Sequence, residues 1–271
     1  MKIRLFLVVG LLCVLCEQTF ALNFMGPPTA ELNRGQWSMG YIYSYSVQDL
    51  DKTSQNWFIV NGGAVTGAGE GRFRIEDLTV QRHYAGINSG FADWWETYVR
   101  LGLSETKGDI HRLITDSTDG YNFDNDLAWG WGTKVTFKKS GTTAWGAGFH
   151  MNFLDTSVSK TEDVSESGPW VDDVSIDTYD MLFVIGPTVD MGSWKLYGGP
   201  FYYHLSGEYH FERDFLELGT INLEKADIEE DGNFGGYIGA VMDIAEDCDL
   251  MAELSFTSDG WGLGAGIAQR F

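Results

Sequence analysis

The 271-residue chain carries three cysteines, five prolines and only 18 lysines and arginines against 39 aspartates and glutamates. Each shortage excludes something. Cys13 and Cys16 lie within a stretch that reads as a removable leader, leaving Cys248 alone, so a disulfide-stapled secreted domain is ruled out. A formal net charge of −21 argues against nucleic acid as a partner, because phosphates need a cationic surface. After Ala21 no apolar run reaches the roughly 18 residues that a spanning helix requires. His-Glu-x-x-His and paired cysteines are missing, so neither a metal site nor a catalytic zinc is expected. Gly67-x-Gly69-x-Gly71 does not lead from a strand into a helix, and no nucleotide or other cofactor is expected.

The first 21 residues have the layout of a Sec-type signal peptide. Lys2 and Arg4 form the basic start, Leu5 to Cys16 the apolar run, and Ala21 the small residue at the cleavage point. Leu15 stands where an acylated-cysteine motif wants a small residue, which disfavours a lipid anchor at Cys16. Loss of Lys2, Arg4 and Glu17 leaves 16 basic and 38 acidic residues. The expected layout is a leader over 1–21, a short periplasmic segment over 22–35, and one domain over 36–271.

That domain reads as ten strands. Trp37, Met39, Tyr41, Tyr43, Tyr45 and Val47 alternate with small or polar residues, and the same period of two recurs near 76–87, 95–103, 127–138, 145–153, 174–186, 193–206, 233–244, 249–257 and 261–271. Pro200 interrupts the seventh strand and predicts a bulge, since a closed barrel has no free edge to excuse a missing donor. Asn88-Ser89-Gly90, Lys139-Ser140-Gly141, Asp190-Met191-Gly192 and Glu246-Asp247-Cys248-Asp249 read as tight turns. Long segments at 48–75, 105–124, 156–173 and 207–231 alternate with them and read as loops. Short links on one side and long ones on the other are the plan of a transmembrane β-barrel.

Side-chain size sets the orientation. Ten strands enclose limited room, too little for so many indole and phenyl rings. The rings are therefore expected to face acyl chains, with Trp37, Trp129, Trp145 and Trp261 near the headgroups. The lumen then receives glycines together with Glu96, Arg100, Lys134, His150 and Glu253. Those charges read either as an ion path or as a self-satisfied filling, and the narrow bore favours the filling.

The chain stops on a patterned strand: Trp261, Leu263, Ala265, Ile267 and Phe271 share one face, with Gln269 the one break. Leu263, Ala265, Ile267 and Phe271 resemble the C-terminal signature of bacterial outer-membrane β-barrel proteins, the segment read by their insertion machinery. The resemblance implies an all-β, closed, antiparallel up-and-down barrel, monomeric, with outer-membrane lipids and that machinery as partners. Eight or twelve strands remain alternatives to ten.

Acid clusters in the long segments: Asp116, Asp119, Asp124 and Asp126; Glu162, Asp163, Glu166, Asp172 and Asp173; Glu224, Asp227, Glu229, Glu230 and Asp231. They fit solvated loops, with divalent cations as a candidate partner, although none follows the calcium-loop template. His204-Leu205-Ser206-Gly207-Glu208 is the best local candidate for catalysis and faintly resembles the His-x-Ser of lipid A deacylases. Gly207 stands where that family has Asn, and no catalytic site is assigned. The expectation is a non-enzymatic scaffold displaying acidic loops. A narrow pore is the alternative, with a lipid-modifying enzyme or a soluble lipocalin-like carrier behind it.

Overall fold

A computed structural model describes residues 23–112, 117–164, 168–215, 220–258 and 260–271. The leader, Leu22, Asp116 and Glu166 lie outside the described residues. Ten strands follow one another: β1 (Trp37–Asn61), β2 (Ala64–Ala92), β3 (Trp95–Arg112), β4 (Ser117–Ser140), β5 (Thr143–Val164), β6 (Gly168–Asp190), β7 (Trp194–Phe215), β8 (Thr220–Ala245), β9 (Cys248–Phe256) and β10 (Gly260–Arg270). Each pairs antiparallel with its neighbours, and β1 closes onto β10 from Ser38↔Arg270 to Gln48↔Gly260. The fold is a closed ten-stranded barrel without helices among the described residues.

The outward face carries the rings. Leu127, Trp129, Trp131, Phe137, Trp145, Phe183, Ile185, Leu250, Leu263 and Ile267 are all exposed on it, and Leu101 is 58 % exposed. Leu127–Phe137 is about the 9–11 residues that a tilted strand needs to cross a bilayer. The character of that face then changes within one outward step. On β6 the outward positions Ile185, Phe183, Met181 and Tyr179 give way to Asp177, Ser175 and Asp173; on β5 Phe153 gives way to Asp155, and on β3 Leu103 to Glu105. This line is the waterline, because apolar surface this extensive is stable only against lipid.

Beyond the waterline the strands do not end. The segments expected to be loops are strand: β3 and β4 run to Arg112 and from Ser117, β5 and β6 to Val164 and from Gly168, β7 and β8 to Phe215 and from Thr220. Above lipid the chemistry inverts. Ile75, Ile110, Tyr121, Phe123, Val174, Ile176, Tyr209, Phe211 and Ile228 point inward and are buried, while Asp109, Asp173, Asp177, Glu212 and Asp227 point to water; Asp172 and Glu224, expected in solvated loops, are buried instead. The apolar half of each alternation holds this β-tower together, and the acidic half disguises it as loop.

The tower is narrower than the membrane section. β9 and β10 stop near the waterline, and β1 then turns to pair with β8 from Thr53↔Ile228 to Asn61↔Thr220. Register shifts on β1 between Gln48 and Thr53 re-aim the strand across this step. Nearby, Asp77 sits at φ 51° with its N–H held by Asp49. Ten strands thus become eight, a bore that side chains can fill.

Two further expectations are corrected. Residues 88–90 are not a turn: β2 continues through them, pairing Asn88↔Tyr98 and Gly90↔Glu96, and the chain reverses at Asp93-Trp94. Nor is there a bulge at Pro200. The β6–β7 ladder lapses between Val184↔Phe201 and Thr188↔Tyr197 but resumes in the same register, so the missing donor interrupts pairing without adding a residue.

Candidate functional site: the filled lumen

Glu96, Arg100, Lys134, His150 and Glu253 all project into the membrane section of the barrel and are buried there, Arg100 at 3 % exposure. Alternation places them, since each lies opposite an outward apolar neighbour on its own strand. They do not form one pairwise network. Glu96, Arg100 and Glu253 converge on a partner that sequence reasoning placed elsewhere.

That partner is the segment from Asn23 to Asn33. Expected as a periplasmic lead-in, it turns back into the bore, where Asn23, Phe24, Met25, Thr29, Ala30 and Leu32 are buried. The Glu253 carboxylate accepts the backbone N–H of Met25 and of Gly26, each at 2.8 Å, and the Tyr197 hydroxyl at 3.0 Å. One oxygen of Glu96 accepts the N–H of Glu31 at 2.8 Å and of Leu32 at 3.2 Å. Thr136 accepts from the Ala30 N–H, Thr29 bonds Thr188, and Lys195 pairs with Glu31. A charged acceptor on a backbone N–H makes a strong bond in a dry setting.

Arg100 is the hub above it. Its guanidinium donates to Asn152 through Nε and Nη2 and to the Phe24 carbonyl through Nη1 at 3.0 Å, while lying 4.6 Å over the Tyr84 ring. Asn152 passes the connection to Asp180, which also receives Asn23 at 2.6 Å and has Arg82 at 4.0 Å. Tyr98 bonds His150. Lys134 lies within electrostatic reach of both Glu96 and Glu253 and offsets part of their charge.

The wall is cut to fit the segment. A Cβ on Gly90 would collide with the Asn33 carbonyl, on Gly146 with the Pro28 carbonyl, and on Gly264 with the Phe24 ring. Gly90, which reads as a turn residue from sequence, is therefore a clearance residue. Asn23, Arg82, Asp180 and Tyr197 were not singled out from sequence. Inward parity identifies Arg82, Asp180 and Tyr197 once the register is known, whereas nothing marks Asn23.

His204, Ser206 and Glu208 stand on successive outward positions of β7 at the waterline, roughly 6–7 Å apart along the strand. No hydrogen bond joins His204 to Ser206 among the described residues, and the groove beside them is lined by Asp155, Asp177, Tyr179 and Asp227. His210 contacts Glu208 at 3.3 Å. No three His, Cys, Asp or Glu side chains converge on a metal position among the described residues.

The groove does have a charge problem. Asp155, Asp177, Glu208 and Asp227 are direct cross-strand partners in one row, and like charges placed opposite each other repel. Burial raises the Asp177 carboxyl above its ordinary range, the hydrogen-bonded Asp155 raises it further, and Glu208 adds to this against an opposing effect of His210. A raised carboxyl favours the fold while protonated, and that contribution is lost as pH rises through the raised value. Asp177→Asn is expected to flatten this part of the pH dependence, giving a smaller difference in melting temperature between pH 4 and pH 7 than the parent. An unchanged difference would show that the pair is not coupled.

No protein-family model matches the sequence, and no curated protein matches it. Solved structures match over most of the chain at low identity. The outer membrane protein OprG of Pseudomonas aeruginosa is 11% identical with a TM-score of 0.45, covering 88% of this chain and 97% of that one. The toluene transporter TbuX of Ralstonia pickettii is 11% identical at a TM-score of 0.42, with 88% and 90% covered. The outer membrane protease OmpT of Escherichia coli is 8% identical at 0.45, with 92% and 99% covered.

Proposed function

We propose that the protein is a sealed outer-membrane barrel that holds a rigid, acidic β-tower above the outer leaflet and catalyses no reaction of its own. One observation carries this reading: among the described residues the inward side chains of both the membrane section and the tower are buried. The Asn23–Asn33 segment and its charged partners occupy the membrane section, and a packed apolar core occupies the tower. Buried charges in so narrow a space need every partner they have, and the described residues offer no continuous row of water-exposed groups for an ion to follow. The acidic exterior of the tower faces solvent, with divalent cations as diffuse counter-charge rather than as a chelated ion. Acyl chains take the ring-bearing band, and the insertion machinery takes the strand ending in Leu263, Ala265, Ile267 and Phe271.

Planar-bilayer recording tests the reading. Purified barrel is expected to leave the baseline without discrete openings at 100 mV of either sign, beside a porin control that conducts. Repeated unitary openings from the parent protein would overturn the sealed bore in favour of a narrow pore.

A further inference from the structure

The Asn23–Asn33 segment is held as a ligand is held, not as part of the wall. The barrel ladder closes without it, every strand having both neighbours. Residues 23–33 form no strand, and their hydrogen bonds to the wall run through side chains: Asp180, Glu253, Thr136, Glu96, Arg100 and Thr188. Main-chain pairing with the wall begins only at the tether, where Gly35 donates to Gly90 and Gly90 to Gln36. Gly35 at φ +82° makes that tether a turn at the short-turn mouth of the barrel.

The grip is also specific in register. Glu253 takes one adjacent pair of N–H groups and Glu96 takes another six residues on. Between them lie Pro27 and Pro28, which have no N–H to leave unsatisfied and which stiffen the span between the two clamps. The glycines at 90 and 146 clear the segment's carbonyls, and Gly264 clears its Phe24 ring.

We propose that the membrane-level lumen is a peptide-binding chamber open toward the periplasm, occupied in cis by residues 23–33. An extended peptide with the same donor spacing takes their place when they leave. The direction rests on reading the short-turn end as the periplasmic one. A tethered occupant has an effective concentration on the order of millimolar, so the chamber is filled at rest and a competitor must bind tightly or be abundant. Vacating it opens no conduit, because the tower core remains shut above.

The test uses the full chain with residues 23–33 replaced by a glycine-serine stretch of equal length. Its folding is established by the mobility shift on boiling and by circular dichroism. The probe is a fluorescent synthetic peptide of residues 23–34, read by anisotropy. Saturable binding is expected, weakened at least tenfold by Glu96→Gln with Glu253→Gln and absent for a scrambled peptide. No saturable binding to the folded barrel, or binding indifferent to the two substitutions, would overturn the proposal. Should the replaced chain not fold, the parent sequence with Cys248→Ser and Ala30→Cys serves instead. Maleimide labelling of that cysteine is expected to speed up at least tenfold when Glu96→Gln and Glu253→Gln are added, and an unchanged rate would show the segment to be a fixed part of the wall. Conductance by the replaced barrel would sink the sealed-bore reading and leave the chamber standing.

Discussion

Exchange of Arg100 for methionine is expected to destabilise the barrel by about 2–6 kcal/mol, about 1–3 kcal/mol for each of two buried carbonyl acceptors left without a donor. Methionine fills much of the volume, so the loss is electrostatic. The Asn152 carbonyl loses two donors and the Phe24 carbonyl loses one. Asp180 keeps Arg82 at 4.0 Å and Asn23, but its link through Asn152 loses its anchor. Arg100→Lys retains the charge without the planar fork and should recover only part of the loss. Urea unfolding in detergent, followed by tryptophan fluorescence, measures both. A cost for Arg100→Met below about 1 kcal/mol, the range of exposed ion pairs, would mean that the lumen is wetter than its burial indicates.

The second large effect tests the waterline. Val99→Arg places a charge on the lipid face at mid-depth, opposite Ile87 and Trp131, and is expected to cost about 2–4 kcal/mol. Ser175→Arg, on the same outward face but above the line, should change stability by no more than about 0.5 kcal/mol. Refolding yields into lipid vesicles across a urea series give both numbers. Equal penalties at the two positions would place lipid, or water, along the whole length of the wall and remove the distinction between membrane section and tower.

Legibility in the sequence followed burial chemistry. The ten strands, their order and their antiparallel closure were readable because the lipid-facing half of the alternation is bulky and unbroken, as in Trp145, Ala147, Phe149, Met151 and Phe153. The tower strands were hidden for the opposite reason. There the apolar residue of each pair faces inward and its neighbours are polar, so Tyr121-Asn122-Phe123-Asp124 looks like a loop to any reading that weighs net polarity. Tyr209-x-Phe211 and Ala226-x-Ile228 carried the missing signal. The lumen charges could be named from parity alone, but not what they hold. Asn23 to Asn33 has no periodicity, and a segment bound through its backbone leaves almost nothing in its own side chains to show it. Its trace lies in the wall instead, in glycines whose absent side chains mark where another backbone passes.

Strand β1 has two successive neighbours along a single edge, β10 below the waterline and β8 above it. The outer ring therefore closes on eight strands that are all made before the chain reaches Cys248. A polypeptide halted at that stage already holds everything the outer ring requires, while its lower part still gapes like an unbuttoned collar. The final hairpin slots into that gap as a wedge confined to the lipid layer, and its zippering against β1 completes the molecule. The outer ring thus owes none of its closure to the last two strands, which seal only the lipid-level gap between β8 and β1.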